Sequence, residues 1–496
     1  MPKLHAGKAP AFCMAVALTL LLAINAKALN HGPKPNVVFI LVDDLGWKDL
    51  GIQGSVYYQT PHMDHLAESG MRFTDAYTPA PMCSPTRAAI MTGKHPTRLK
   101  ITDWIPGDNS QTCKLVSPST RCQLPLAEKT IAEVLKSYGY KTFFAGKWHL
   151  GSCGSFPEDH GFDLNKGGND LGHPVGGYYA PYQNPQLEDG PPGEYLTDRL
   201  TKESIRFMEK NQNQPFFIFL SFYAVHWPIQ GCKRLLAENQ QRKKHQKHSG
   251  PPNRKERGAT TKLWQDDPAY ASMVQAVDEN VGRFLAKLAE LKLADRTIVI
   301  LTSDNGGLAT LATKCSIPTS NAPLRTGKGW CYEGGIRVPL IIYAPGVTRG
   351  GSTCTVPVTS MDLFSTILDL VGLPLQPSQH IDGLSLLPLM QGKTSLGRKA
   401  IYWHYPHYNG CRGTPSAAIR VGDWKLIELY EQNKVELYNL KNDIGEERDL
   451  SAAYPAKVKE LRGMLHAWQK KVGVTPPKVN PMFRQYGSPQ SLHLGP

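Results

Sequence analysis

Four apolar runs in this chain each end in charged, amide or imidazole side chains, and that pattern leaves few folds open. Pro35 to Val42 gives way to Asp43-Asp44, and Lys141 to Ala145 gives way to Gly146-Lys147-Trp148-His149. Phe216 to Val225 ends in His226, and Thr297 to Leu301 ends, after Thr302-Ser303, in Asp304-Asn305. Continuous rather than alternating apolar character marks strands covered on both faces, as in parallel sheets. Helical segments alternate with the runs, so the fold expected is α/β: a large, mostly parallel sheet sandwiched by helices. Such sheets bind ligands beyond the carboxyl ends of their strands, so every run delivers its polar groups to one edge. With 496 residues, 41% of them apolar, the chain can bury a core of that size and carry a smaller second unit.

Two acidic pairs at one edge repel unless they are neutralised. Asp43, Asp44, Asp304 and Asn305 form an oxygen-rich set that suits a hard cation, calcium first and magnesium second. A single Asp after a strand is more commonly a turn or cap residue; their joint occurrence argues for a metal. The segment Cys83 to Gly93 reads as a short helix with Ser84 as N-cap, Pro85 at the first helical position and Gly93 closing it. Cys83 then stands at a helix N-terminus, where free N–H groups and Arg87 attract an anion and would lower the pKa of an unmodified thiol. In isolation, a cysteine of an exported protein would instead be buried or disulfide-bonded.

Lys3 and Lys8 precede an apolar run from Ala11 to Ile24 and the small-x-small sequence Ala26-Lys27-Ala28, so residues 1–28 read as a signal peptide cleaved after Ala28. That run is shorter than the roughly 20 residues a membrane span needs. No membrane anchor is expected, and the mature chain is secreted or periplasmic. Export implies an oxidising compartment. Beyond Cys13 in the leader and Cys83, the remaining Cys113, Cys122, Cys153, Cys232, Cys315, Cys331, Cys354 and Cys411 are even in number and permit disulfides. Cys113 with Cys122 and Cys315 with Cys331 bracket polar loops and are the first pairs to expect. The chain has no Cys-x-x-Cys motif, which disfavours zinc, and no Asn-x-Ser/Thr sequon, which fits a bacterial exported protein.

The formal charge of +14 falls to +11 once Lys3, Lys8 and Lys27 leave with the leader, so polyanionic partners fit. Most of the excess lies in residues 233–262, where ten Lys and Arg side chains meet only Glu238 and Glu256. Pro251-Pro252 and the lack of apolar periodicity there read as a solvated loop rather than a packed element. No nucleic-acid motif accompanies it, and nucleic acid is not expected as a partner.

Cys83-Ser84-Pro85-Thr86-Arg87 resembles the Cys-x-Pro-x-Arg signature of the formylglycine-dependent sulfatases. The resemblance continues in order through Leu41 to Trp47, Gly146 to Gly151, Thr302 to Gly306, Gly327-Lys328 and Tyr332 to Pro339. It implies that a maturation enzyme oxidises Cys83 to formylglycine, whose hydrate attacks sulfur, and that calcium is bound by Asp43, Asp44, Asp304, Asn305 and the modified Cys83. It further implies that Arg87 and Lys147 hold the nucleophile and that Lys147 and Lys328 stabilise the sulfuryl oxygens. His226 with Lys328 would protonate the departing oxygen, and His149 would deprotonate the second hydroxyl so that C–O cleavage expels sulfate. Around Asn321 to Pro339 the likeness is to bacterial polysaccharide sulfatases and N-acetylgalactosamine sulfate sulfatases, which implies a sulfated galactose or N-acetylgalactosamine unit as substrate. His173, Arg325, Tyr332, His404 and Arg412 lie in loops near these motifs and are candidates to read the sugar. His31, His245, His248 and His466 read as surface or structural.

These segments divide the mature chain into a catalytic domain over residues 29–390, with a basic insertion at 233–262, and a C-terminal subdomain over 391–475. In the latter, Ala400 to His404, Ala417 to Val421, Trp424 to Tyr430 and Val435 to Leu440 read as an antiparallel sheet, and Pro455 to Lys471 as an amphipathic helix. Residues 476–496 read as an extended tail. Two other functions share the expected fold: a phosphate or phosphonate ester hydrolase, and a binder of sulfated glycans that has lost catalysis.

Overall fold

The computed structural model describes residues 34–107, 112–312 and 315–483; the leader lies outside them. The described residues from Pro35 on form one compact unit. Its centre is an eight-stranded sheet of β1 (Asn36–Val42), β2 (Met71–Phe73), β3 (Lys141–Gly146), β4 (Leu164–Lys166), β5 (Phe216–Phe222), β6 (Thr297–Ser303), β7 (Leu340–Tyr343) and β8 (Ser352–Cys354). The strands lie in the order β8-β2-β7-β6-β1-β5-β3-β4. Only β7 runs against the rest, pairing antiparallel with β6 and β2. The four strands expected from the apolar runs are thus the adjacent, mutually parallel centre β6-β1-β5-β3.

Both faces of this centre are dry. Val38, Ile40 and Val42 pack into one apolar layer, Val37, Phe39 and Leu41 into the other, which is why β1 carries no polar alternation. Phe39 stacks on Phe219 at 4.7 Å and Phe219 on Phe144 at 5.5 Å, so the second layer is bridged across three strands. β3 ends at Gly146, whose φ is +102°; a Cβ there would sit 1.8 Å from the Ser221 carbonyl oxygen, so no other residue fits. The run that begins at Phe216 leaves the sheet after Phe222 rather than at Val225. Ala224 and Val225 instead exchange backbone hydrogen bonds with Asp43 at 3.0 and 2.7 Å.

A second sheet follows, with β9 (Ile401–Tyr405), β10 (Ser416–Val421), β11 (Trp424–Leu429) and β12 (Lys434–Asn439) paired antiparallel in sequence order. One face buries Leu461 and Leu465 of the Pro455–Val472 helix against Ala417, Ile419, Leu426 and Leu437. The other turns toward the catalytic core, where Trp403 Nε1 donates to the Thr78 carbonyl at 2.7 Å. Lys425, fully buried on β11, bridges Glu333 at 2.9 Å and Glu446 at 2.8 Å, and Glu333 also holds Arg337 at 2.7 Å.

Two expectations need correction. Residues 233–262 are not a structureless loop. Lys233–His245 is a helix that buries Leu235 and Asn239 and packs on the long Pro268–Glu290 helix, and Asn253–Glu256 pairs with Ala259–Lys262 as a hairpin. One narrow contact stripe suffices for that helix, and so few apolar residues are needed that their period is invisible. As far as it is described, the tail is extended and anchored: Lys478–Val479 pairs with Leu115–Val116. Finally, no disulfide joins Cys113 to Cys122 or Cys315 to Cys331 in this structure. Among the described residues no helix is long and apolar enough to cross a membrane.

Lys425→Met, which keeps the side chain's length but removes its charge, should leave the buried Glu446 carboxylate without its cation beside Glu333, which keeps only Arg337. Breaking a buried ion pair in this way costs about 3–5 kcal/mol. Denaturant unfolding should read that loss; a change below about 1 kcal/mol, the scale of an exposed pair, would show that the Lys425 bridge does not hold the second sheet to the core.

Candidate active site

The polar groups that end β1, β3, β5 and β6 meet at one edge of the sheet, as the strand order requires. Asp43 and Asp44 follow β1, Asp304 and Asn305 follow β6, and Lys147 and His149 follow β3. Arg87 lies among them. Its Nε and Nη2 reach Asp304 Oδ2 at 2.8 and 2.7 Å, and its Nη1 donates to the Lys147 carbonyl and Ser221 Oγ at 2.7 and 2.8 Å. Lys147 Nζ holds Asp43 Oδ2 at 2.6 Å, and Lys328 Nζ holds Asp44 Oδ1 at 2.8 Å. All of these side chains are buried.

Cys83 is the first residue of a helix running to Thr92. Met82 is the N-cap, so the helix begins two residues earlier than the Ser-Pro signature suggests. The thiol is not activated as expected: burial raises its pKa and outweighs the lowering by Lys147 and Lys328. Cys83 Sγ lies 3.3 Å from His149 Nδ1, and His149 Nε2 lies 2.7 Å from the Ile105 carbonyl oxygen. Only a protonated Nε2 can serve that carbonyl. Burial, and then Lys147, hold the His149 pKa well below its usual range. The ring is therefore neutral, and its free Nδ1 faces position 83. His226 holds the opposite tautomer: Nδ1 donates to the Trp227 carbonyl at 2.7 Å, the free Nε2 points to Asp44 Oδ2 at 3.8 Å, and burial followed by Lys328 depresses its pKa.

Burial and the neighbouring Asp304 push the Asp43 pKa up to about 8, against the pull of Lys147. Among the described residues, Asp43 Oδ1 and Asn305 Oδ1 are buried and accept no hydrogen bond. Asp43, Asp44 and His226 each offer a ligand atom, and these atoms lie within 4.8 Å of one another. Unspent oxygens beside crowded carboxylates are what a hard cation takes as ligands, so the donor set fits the metal that the sequence implies.

Several residues here escaped the sequence reading. Ser221 accepts from Arg87 and donates to the Lys147 carbonyl at 2.7 Å; a lone hydroxyl inside an apolar strand was its signal. Asp49 accepts from Gly46 N, Tyr270 OH and Thr319 Oγ1 at 2.8, 2.6 and 3.1 Å and fixes the turn in which Asp44 takes a φ of +60°. Asn321 Nδ2 reaches the Gly307, Thr326 and Gly334 carbonyls, each at 3.0 Å, and so ties the Asn305 loop to the Lys328 loop.

Of the candidate sugar readers, Arg325 is spent on Glu256 at 2.7 Å and stacked on Tyr332, whose hydroxyl binds Glu436. His404 is buried between Tyr430 and the Thr475 carbonyl. None of these three reaches the pocket. His173 and Arg412 stay partly exposed, and His173 meets the half-exposed Trp227 next to His226. His245 is exposed, His248 stacks on Trp264 at 4.3 Å and His466 pairs with Glu428 at 3.0 Å, while His31 lies outside the described residues.

The sequence profile of the family described as Sulfatase matches residues 35–373, and that of the N-sulphoglucosamine sulphohydrolase C-terminal region matches 326–471. A sulfatase of Formosa agariphila is 30% identical, over 90% of this chain and 91% of its own. The N-acetylgalactosamine-6-sulfatase of Canis lupus familiaris is 31% identical over 82% of this chain and 74% of its own. The crystal structure of Ps i-CgsB in complex with k-i-k-neocarrahexaose is 31% identical, with a TM-score of 0.71, and the match spans 88% of this chain and 92% of that one.

A cation that binds here must displace the proton that Asp43 retains up to about pH 8, so its apparent affinity should rise with pH. The thermal shift produced by a divalent cation should accordingly be larger near pH 8 than near pH 5, and Asp43→Asn should abolish the difference. Equal shifts at both pH values would contradict this placement of the metal.

Proposed function

The chain belongs to the sulfatase family and hydrolyses sulfate esters, and on that premise we propose that it is an exported enzyme acting on galactose or N-acetylgalactosamine sulfates of a sulfated glycan. The observation that carries the reading is the convergence, at one sheet edge, of position 83 with Arg87, Lys147, Lys328, His149 and His226 around the Asp43, Asp44, Asp304 and Asn305 oxygens.

In this reading, a formylglycine at position 83 would supply, as its hydrate, the nucleophilic oxygen toward sulfur and a second hydroxyl for the release of sulfate. Asp43, Asp44, Asp304, Asn305 and position 83 would hold calcium, which would supply positive charge to the sulfuryl group. The chain's own residues do the rest. Lys147 and Lys328, buried and fixed by carboxylates, face a developing anion with no reorganisation needed. Arg87 keeps Lys147 and position 83 in register through the Lys147 carbonyl. His149 Nδ1, neutral and 3.3 Å from the position-83 side chain, accepts its proton. His226 is neutral in the resting site, and an arriving sulfate anion beside it raises its affinity for a proton. With Lys328 it then donates the proton it has taken from solvent to the leaving sugar oxygen as the S–O bond breaks.

Three features support a sugar substrate. The dog relative is named for N-acetylgalactosamine-6-sulfate, and the Ps i-CgsB crystal holds a neocarrahexaose. The half-exposed Trp227 beside His226 and His173 also offers a flat apolar face at the pocket mouth. Export is supported by the leader sequence.

Cys83→Ala should unfold at the same denaturant concentration as the unsubstituted chain and lose at least about 10⁴-fold in kcat, the scale on which removal of a nucleophile acts. A panel of sulfated sugars, steroids and lipids should show turnover of galactose or N-acetylgalactosamine sulfates. Full activity in Cys83→Ala overturns the nucleophile, and turnover confined to steroid or lipid sulfates overturns the sugar assignment.

A further inference from the structure

A cavity of about 360 Å³ lies apart from the acidic edge, where the tail crosses the second sheet. Its size falls in the roughly 300–1,000 Å³ range of small-ligand sites. Thr97, Lys100 and Thr102 form one wall, Ser119 another, and His404 and Lys478 close it. No carboxylate lines it. Among the described residues neither Lys100 nor Lys478 makes an ion pair, whereas lysines of this protein that approach acidic side chains are paired within 4 Å, as Lys147, Lys328 and Lys425 are.

The walls are fixed. Lys100 caps a short helix in the left-handed region, with its N–H bonded to the Pro96 and Thr97 carbonyls. Lys478 is held in the ladder with Val116, and the His404 ring is occupied at both nitrogens by Tyr430 and the Thr475 carbonyl, so it serves as wall rather than donor. Thr102 also connects the cavity to the catalytic pocket. Its Oγ1 bonds His407 Nε2 at 2.9 Å, and three residues on, the Ile105 carbonyl orients His149.

Resting on the glycan reading above, we propose that this cavity binds a second anionic unit of the sulfated polymer, outside the catalytic pocket. The ammonium groups of Lys100 and Lys478 donate to sulfate oxygens, and the exposed hydroxyl of Ser119 exchanges hydrogen bonds with the sugar. A free inorganic anion shares half of that chemistry, so the test separates the two.

The full chain carrying Cys83→Ala is titrated calorimetrically with a sulfated galactan oligosaccharide, and then again with Lys100→Gln and Lys478→Gln added. The two lysine substitutions should weaken binding about tenfold at low salt, and the gap should narrow as exposed charges are screened, over about 10 Å at 0.1 M. In the turnover-competent chain the same pair should raise KM for the oligosaccharide by about as much. Its kcat/KM for a small aryl sulfate, which occupies the pocket alone, should stay within about twofold. Equal oligosaccharide affinity with and without the lysines, or no binding to either protein, overturns the proposal. So does inorganic sulfate binding as tightly as the oligosaccharide in a lysine-dependent way, which would make the cavity an anion site. Failure of the sulfatase reading is seen separately, as absence of aryl sulfate hydrolysis by the unsubstituted chain.

Discussion

Carboxylates buried side by side must be neutralised, and the catalytic edge of this protein is organised around that requirement. Asp43 and Asp304 end adjacent parallel strands, so the sheet brings them together whatever their charge. Removing ions from water costs several kcal/mol each unless partners compensate. Arg87 between them, Lys147 on Asp43 and Lys328 on Asp44 are that compensation. The balance is incomplete, as the raised Asp43 pKa and the two oxygens without hydrogen bonds reveal. A divalent cation would complete it, and the same lysines would then be placed to meet the oxygens of an anionic ester. Compensation of the fold's own charge and stabilisation of the reacting charge use one set of side chains.

The rest of the structure holds this set in place. β3 approaches β5 so closely that Gly146 is required, and that approach puts the Lys147 carbonyl within reach of both Ser221 and Arg87. The turn carrying Asp44 is held by Asp49, Tyr270 and Thr319, and Asn321 joins the loops of Asn305 and Lys328. The second sheet presses on the same region from outside. Its Lys425 compensates Glu333, which opens the turn of Gly334 and Gly335; a Cβ on Gly306 would meet the Gly334 carbonyl at 1.8 Å.

Much of this was legible in the sequence because a parallel strand covered on both faces has no alternation to obscure its end. The residues that terminate the four central runs all reach the site, and the four strands of the second sheet lie within a residue of where their turns place them. What escaped depends on contacts that sequence spacing does not encode. Ser221 and Asp49 act through partners far along the chain, and Arg325, beside a family motif, and Tyr332, inside one, pack against Glu256 and Glu436. The basic helix needs only Leu235 and Asn239 to dock, too few for a period. The thiol of Cys83 sits at a helix start, but desolvation outweighs the nearby positive charge, a balance visible only once burial is known.

The central claim is that position 83 of the working enzyme is an aldehyde rather than the thiol encoded by the gene. Mass analysis of the peptide containing residue 83, taken from preparations spanning a range of specific activities on an aryl sulfate, tests it most directly. The account predicts that the fraction of peptide with the thiol replaced by an aldehyde or its hydrate rises in proportion to activity. Full activity in a preparation whose Cys83 is entirely unmodified would contradict it.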